Sequence, residues 1–239
     1  MTKGRVGETD DTKAIQEAID KYDNIYVPQG WYRITETLKM KPDTKLIGLH
    51  PFGTQFRLDE STAAFSGFGG PKAMVESSEG GANMLVGIGI NTGGYNYRAV
   101  GVKWMANADS YMNDVKFVGG HGGLWKPKPG VEEPRGRWNR PARISSPDNP
   151  VAASGMDLAW DNQYWSLWVT NNGGGTFKDI WTASTYATNG FYANNTSTPG
   201  LIYAMSIEHH VRNEVRFSKV SNWKVYCMQT EEESRESTD

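Results

Sequence analysis

The chain has 239 residues, 38% of them hydrophobic and 22% charged, and its 25 Lys and Arg nearly balance 27 Asp and Glu. That balance excludes a disordered chain and gives no basic footprint for a nucleic-acid partner, while no apolar run approaches the ~18 residues of a membrane span. One cysteine, Cys227, excludes an intramolecular disulfide, and 27 Gly with 9 Trp, 11 Tyr and 8 Phe favour many turns and flat side chains over a helical bundle.

Met1 to Asp11 is polar and lacks the apolar core of a signal peptide. Ala14, Ile15, Ala18, Ile19 and Tyr22 then recur at helical spacing, with Asp10 or Asp11 placed to accept from the first-turn amides. This short helix is read as a lid. After Asn24 the pattern changes to β-type runs at Ile25 to Val27, Trp31 to Ile34 and Leu46 to Gly48. Further runs follow at Leu85 to Ile90, Val100 to Met105, Asp114 to Val118 and Ser166 to Val169. Others are Phe177 to Trp181, Gly190 to Tyr192, Ile202 to Ile207, Glu214 to Phe217 and Lys224 to Met228.

Asn, Gly or Ser lies between most of these runs, yet two-residue hairpin signals such as Asn189-Gly190 are scarce. A sandwich built from hairpins would show more. The alternative is a parallel β-helix, whose coils of roughly 20–30 residues stack short strands on one another. The expected fold is therefore all-β: a single-stranded right-handed parallel β-helix with an N-terminal capping helix, forming one domain over 1–239. Residues 1–60 make its opening segment. Residues 119–155 form a long insertion that carries six of the eleven prolines and a mildly basic set including Lys126, Arg135 and Arg140.

Gly7-Glu8-Thr9-Asp10-Asp11-Thr12, the helix after it, Ile25 to Tyr32 and Lys45 to Gly48 resemble the opening of the pectate-lyase-like right-handed β-helix superfamily. Lyases, hydrolases and phage tailspikes share that fold, so it fixes no chemistry. Glu208-His209-His210-Val211, Val215-Arg216-Phe217, Val220 to Trp223 and Gln229-Thr230-Glu231 are similar to the signature region of glycoside hydrolase family 55, the exo-acting β-1,3-glucanases. The resemblance implies that Glu231 is the general acid of an inverting, two-carboxylate mechanism and that Glu208 belongs to the network around the attacking water. That family joins two β-helical halves side by side, which implies a second β-helix domain or subunit as a partner. The chain departs from the family in continuing Glu232-Glu233-Ser234-Arg235 where a threonine-proline and tyrosine run is usual.

Inverting cleavage needs two carboxyls ~6.5–9.5 Å apart. Glu208 and Glu231 are 23 positions apart, about one coil, and neighbouring coils stack ~4.8 Å apart. Alternation leaves their facing open, because Val225 and Cys227 compete with Tyr226 and Met228 for the inward row. His209 and His210 are read as substrate contacts or structural groups, since adjacent strand residues point to opposite faces and cannot readily share a metal. Gln229 joins them as a substrate contact. Trp160 and Trp165, with Tyr164 and Trp168, offer flat rings to sugar faces or fill the core. Gly173-Gly174-Gly175 lacks the lysine and the strand-to-helix context of a phosphate loop. No metal and no cofactor are expected; the expected ligand is a polysaccharide or oligosaccharide, a substrate class that fits a secreted or periplasmic setting. A polysaccharide lyase using Arg212 or Arg216 against a uronate, and a non-catalytic glycan-binding or tailspike-like module, are the competing readings.

Overall fold

The computed structural model describes residues 9–93, 96–118, 163–182, 185, 187–208, 210 and 213–231. The 119–155 insertion lies outside them. The helix α1 (Thr12–Lys21) forms with Ile19 buried and Ile15 packed at the core edge, so it covers the first coil. Its cap is divided between two aspartates. Asp11 holds the N-cap position but adopts φ −95°, ψ −3°, and its carboxylate accepts from the Arg33 amide instead of a helix amide. Asp10 accepts from the Thr12 amide at 3.0 Å and from the Thr35 hydroxyl at 2.6 Å. Partial burial pushes the Asp10 carboxyl up, but these hydrogen bonds outweigh it and hold the group below its ordinary value.

All recorded strand pairings are parallel, and they arrange the chain as a β-solenoid of about 6 turns with three faces. The first face holds β1 (Asn24–Val27), β4 (Lys45–Gly48), β7 (Met84–Val86) and β10 (Tyr111–Asn113). On the second lie β2 (Gly30–Arg33), β5 (Thr54–Arg57), β8 (Gly89–Asn91) and β11 (Lys116–Val118). The third is a six-stranded sheet of β3 (Leu38–Lys39), β6 (Lys72–Glu76), β9 (Ala99–Trp104), β12 (Gln163–Val169), β14 (Ala187–Thr196) and β16 (Asn213–Val220). In the last coils β13 (Gly175–Thr182), β15 (Gly200–Glu208) and β17 (Trp223–Glu231) each run across the first face and onto the second.

A column of left-handed residues makes that corner. Gly87, Asp114, Asp179, Ala204 and Cys227 have φ of +63°, +49°, +51°, +61° and +54°, and the strand registers stack them one above another. One such residue turns the chain and resets the in-out alternation. Ile202, Met205 and Ile207 are therefore buried, while Tyr203, which simple alternation would group with Met205 and Ile207, stands outside. The same device splits the expected Leu85 to Ile90 run into β7 and β8 at Gly87. Alanine has no local compensation for this conformation, which costs a non-glycine residue about 1–2 kcal/mol. Ala204→Gly should accordingly stabilise the protein by about 1 kcal/mol, read as a higher urea midpoint with an unchanged slope.

The core is a continuous apolar stack through the coils, rich in aromatic side chains. Trp104 packs edge-on to Phe177 with centroids 6.1 Å apart, and Phe177 in turn lies 6.2 Å from Phe191 and 5.6 Å from Trp223. Asn195 takes φ +49° in β14, where Asn tolerates the left-handed region better than other side chains.

Candidate functional site

Glu208 ends β15 and Glu231 ends β17, and the two are Cα partners on adjacent coils. Because Ile207 is fully buried, its neighbour Glu208 faces outward, and register places Glu231 on the same outward row of the second face. Two contacts hold Glu208. Its amide donates to the Thr182 hydroxyl at 3.2 Å, and its Oε1 accepts from the Ser206 hydroxyl at 2.5 Å. Ser206 also contacts the Gln229 side-chain carbonyl on the next coil. Gln229 thus stands one coil beyond Ser206, beside the acid pair.

Carboxylates rising from partnered positions start about one strand spacing apart, ~4.8 Å, nearer a nucleophilic pair than the ~6.5–9.5 Å of an inverting one. Ser206 lies two residues back on the same side and draws the Glu208 carboxylate along its own strand.

His210 is placed differently from the expected substrate contact. It is only 2% exposed, with Nδ1 2.6 Å from Glu214 Oε2, and its amide donates to Glu214 Oε1 at 3.1 Å. Its Nε2 lies 3.3 Å from the Ser166 hydroxyl, which lies 3.1 Å from that of Thr185. A Cβ at Gly190 would collide with His210 and Ile207, so glycine there admits the imidazole. A ring enclosed in this way offers no surface to a sugar; it ties successive coils together at the corner before the third face.

Trp165 is half-buried on the third face, away from the acid row. Its ring centroid is 4.6 Å from Trp168, 4.9 Å from Tyr192 and 5.4 Å from Tyr164. Lys103, Trp168, Tyr192 and Arg216 follow one another in register, with Lys103 over Trp168 at 5.4 Å and Arg216 over Tyr192 at 4.9 Å. The rings form an outer ladder rather than core. His209 and Trp160 lie outside the described residues, as does Arg212. Among the described residues no group of three or more His, Cys, Asp or Glu is placed to hold a metal, and no helix is long and apolar enough to cross a membrane.

Ser206 and Thr182 escape a sequence reading that looks only for acids and histidines, and Glu214 enters it only as the start of a strand. Two of them carry a signal: Ser206 and Glu208 share a strand face at i, i+2, and His210 precedes Glu214 by four residues.

A family model described as rhamnogalacturonase A/epimerase, pectate lyase-like, matches residues 3–202, so Glu208 and Glu231 lie beyond the match. No curated protein matches the chain. Among solved structures, ORF18 of Geobacillus virus E2 is similar at 15% identity over 97% of this chain, with a TM-score of 0.46; the chain spans 41% of that protein's length.

Proposed function

The chain belongs to the rhamnogalacturonase A/epimerase, pectate lyase-like family, and from that premise we propose that it is a glycoside hydrolase acting through Glu231 and Glu208. Its fold is that of carbohydrate-active and structural β-helix proteins. The observation that carries the hydrolase reading is the partnering of Glu208 with Glu231 on one outward row, with Ser206 between Glu208 and Gln229. In this reading Glu231 protonates the leaving oxygen. Glu208, steadied by Ser206, orients and deprotonates the water, and Gln229 contacts the sugar.

The similarity of the Glu208 to Glu231 region to glycoside hydrolase family 55 supports the finer reading, exo-acting hydrolysis of a β-1,3-glucan with inversion. A second β-helical domain or subunit would supply the facing wall of the cleft. The ladder of Trp165, Trp168 and Tyr192 favours a second reading, a non-catalytic glycan-binding module, because stacked outer rings suit sugar faces without any acid.

Products separate these readings from each other and from a lyase. Incubation with laminarin and with polygalacturonate should release reducing ends from laminarin without ultraviolet absorbance from an unsaturated sugar. Unsaturated uronate would replace the hydrolase reading with a lyase, and glycan binding without any product would leave the module.

A further inference from the structure

We infer that the outer surface of the second face is a track for an uncharged glycan chain, running from Trp31 to the acid pair. Trp31, Gln55, Gly89, Lys116, Trp181, Ser206 and Gln229 are successive register partners, so they form one row along the solenoid axis, with Gln55 and Gly89 buried within it. That row ends beside Glu208 and Glu231.

Three rings along it are contiguous. Trp31 and Phe52 are 41% and 43% exposed, the Trp31 indole N–H points at the Phe52 carbonyl oxygen at 3.4 Å, and Phe52 meets Trp181 edge-on with centroids 5.8 Å apart. Gly89 makes the junction possible. A Cβ there would collide with the Pro51 carbonyl, so its absence lets the 49–53 corner lie down on the face and bring Phe52 to Trp181. A groove lined by Gln29, Gly30, Trp31, Phe52 and Gly53 opens at the far end. Single exposed aromatics need no explanation, but a joined row leading to two carboxylates is a different arrangement.

The lining also specifies the ligand. Rings and the exposed carboxamides of Gln29 and Gln229 dominate, and Lys116, the one cation in the row, is occupied by Asp114 at 3.2 Å and the Asp179 carbonyl at 3.0 Å. Flat apolar rings flanked by amides suit the C–H faces and hydroxyls of neutral pyranoses. Six coil steps separate Trp31 from Gln229, roughly 29 Å at ~4.8 Å each, enough for about five or six sugar rings. That the chain is cut at the Glu208 end rests on the hydrolase reading; the track itself does not.

The test is calorimetric titration of the full chain carrying Glu231→Gln with β-1,3-gluco-oligosaccharides of increasing length. Affinity should rise with length and level off near six sugars. Trp31→Ala and Phe52→Ala, both at exposed positions, should each weaken the longest ligands up to roughly tenfold while leaving the shortest unchanged. Their unfolding midpoints, compared with the parent, check that the fold is intact. Length-independent affinity, equal loss for all lengths, or tighter binding of oligogalacturonates would overturn the track. Length-dependent binding by a wild-type protein that releases no sugar would keep the track and remove the hydrolase.

Discussion

Glu231→Gln should lower the rate of laminarin hydrolysis roughly 10²–10⁴-fold, the usual cost of losing general-acid help. The substitution keeps size and hydrogen-bonding capacity but removes the proton that the leaving oxygen requires. Glu208→Gln should be comparably damaging, because the Ser206 contact then orients an amide that cannot take a proton from water. Glu17→Gln, at an exposed position on α1, should have no effect on rate. The ranking carries the test, since general destabilisation would not follow it. A substrate with an activated leaving group should partly rescue Glu231→Gln and leave Glu208→Gln impaired, because only the first lacks a proton donor. Equal, mild effects at Glu231 and Glu208 in folded protein would favour the binding-module reading.

Glu214→Ala should destabilise the fold by about 1–3 kcal/mol, the range for leaving a buried hydrogen-bonding group without its partner. The Glu214 side chain accepts from both the ring and the amide of His210, and the ring has no water to turn to. Thr185→Val, at the far end of the same chain of contacts, should cost only about 1 kcal/mol. Urea unfolding of the two variants checks the contrast. Because Glu208 lies two residues before His210, the Glu214 variant should also lose hydrolytic activity at temperatures where it remains folded. Similar small losses at both sites would show that the His210 pair contributes little beyond packing.

The stacking of coils was legible because short β-type runs recur without hairpin turns, and parallel strands need no two-residue loops. The helix could be placed from Ala14, Ile15, Ala18 and Ile19, though its cap could not be assigned, since the choice between Asp10 and Asp11 depends on the distant Arg33 and Thr35. β5 escaped notice because Gln55 and Arg57, polar in sequence, are buried by neighbouring coils. The facing of Glu208 was illegible for a different reason. Ala204 and Cys227 each take a left-handed turn in mid-strand, and neither residue type signals one. The one-coil spacing of Glu208 and Glu231 was readable from numbering alone, whereas Trp31 and Phe52 joined the same face only through coil register and the space left at Gly89.

Most ties between coils close short circuits of chain: Ser206 and Gln229 are 23 residues apart, Lys103 and Glu76 are 27. Thr92 and Gln163, joined by a buried hydrogen bond, are 71 apart. Polymer statistics make this long circuit inexpensive, because closure entropy grows only with the logarithm of length. Going from about 25 residues to 71 adds only about 0.9 kcal/mol. Beyond that interval the ladder resumes without a shift, Trp165 meeting Val100 and Thr176 meeting Tyr111. A solenoid whose rungs bind only the rungs beside them can therefore accept a long sequence interval between two of them at a closure cost smaller than that of losing a single buried methyl-rich side chain.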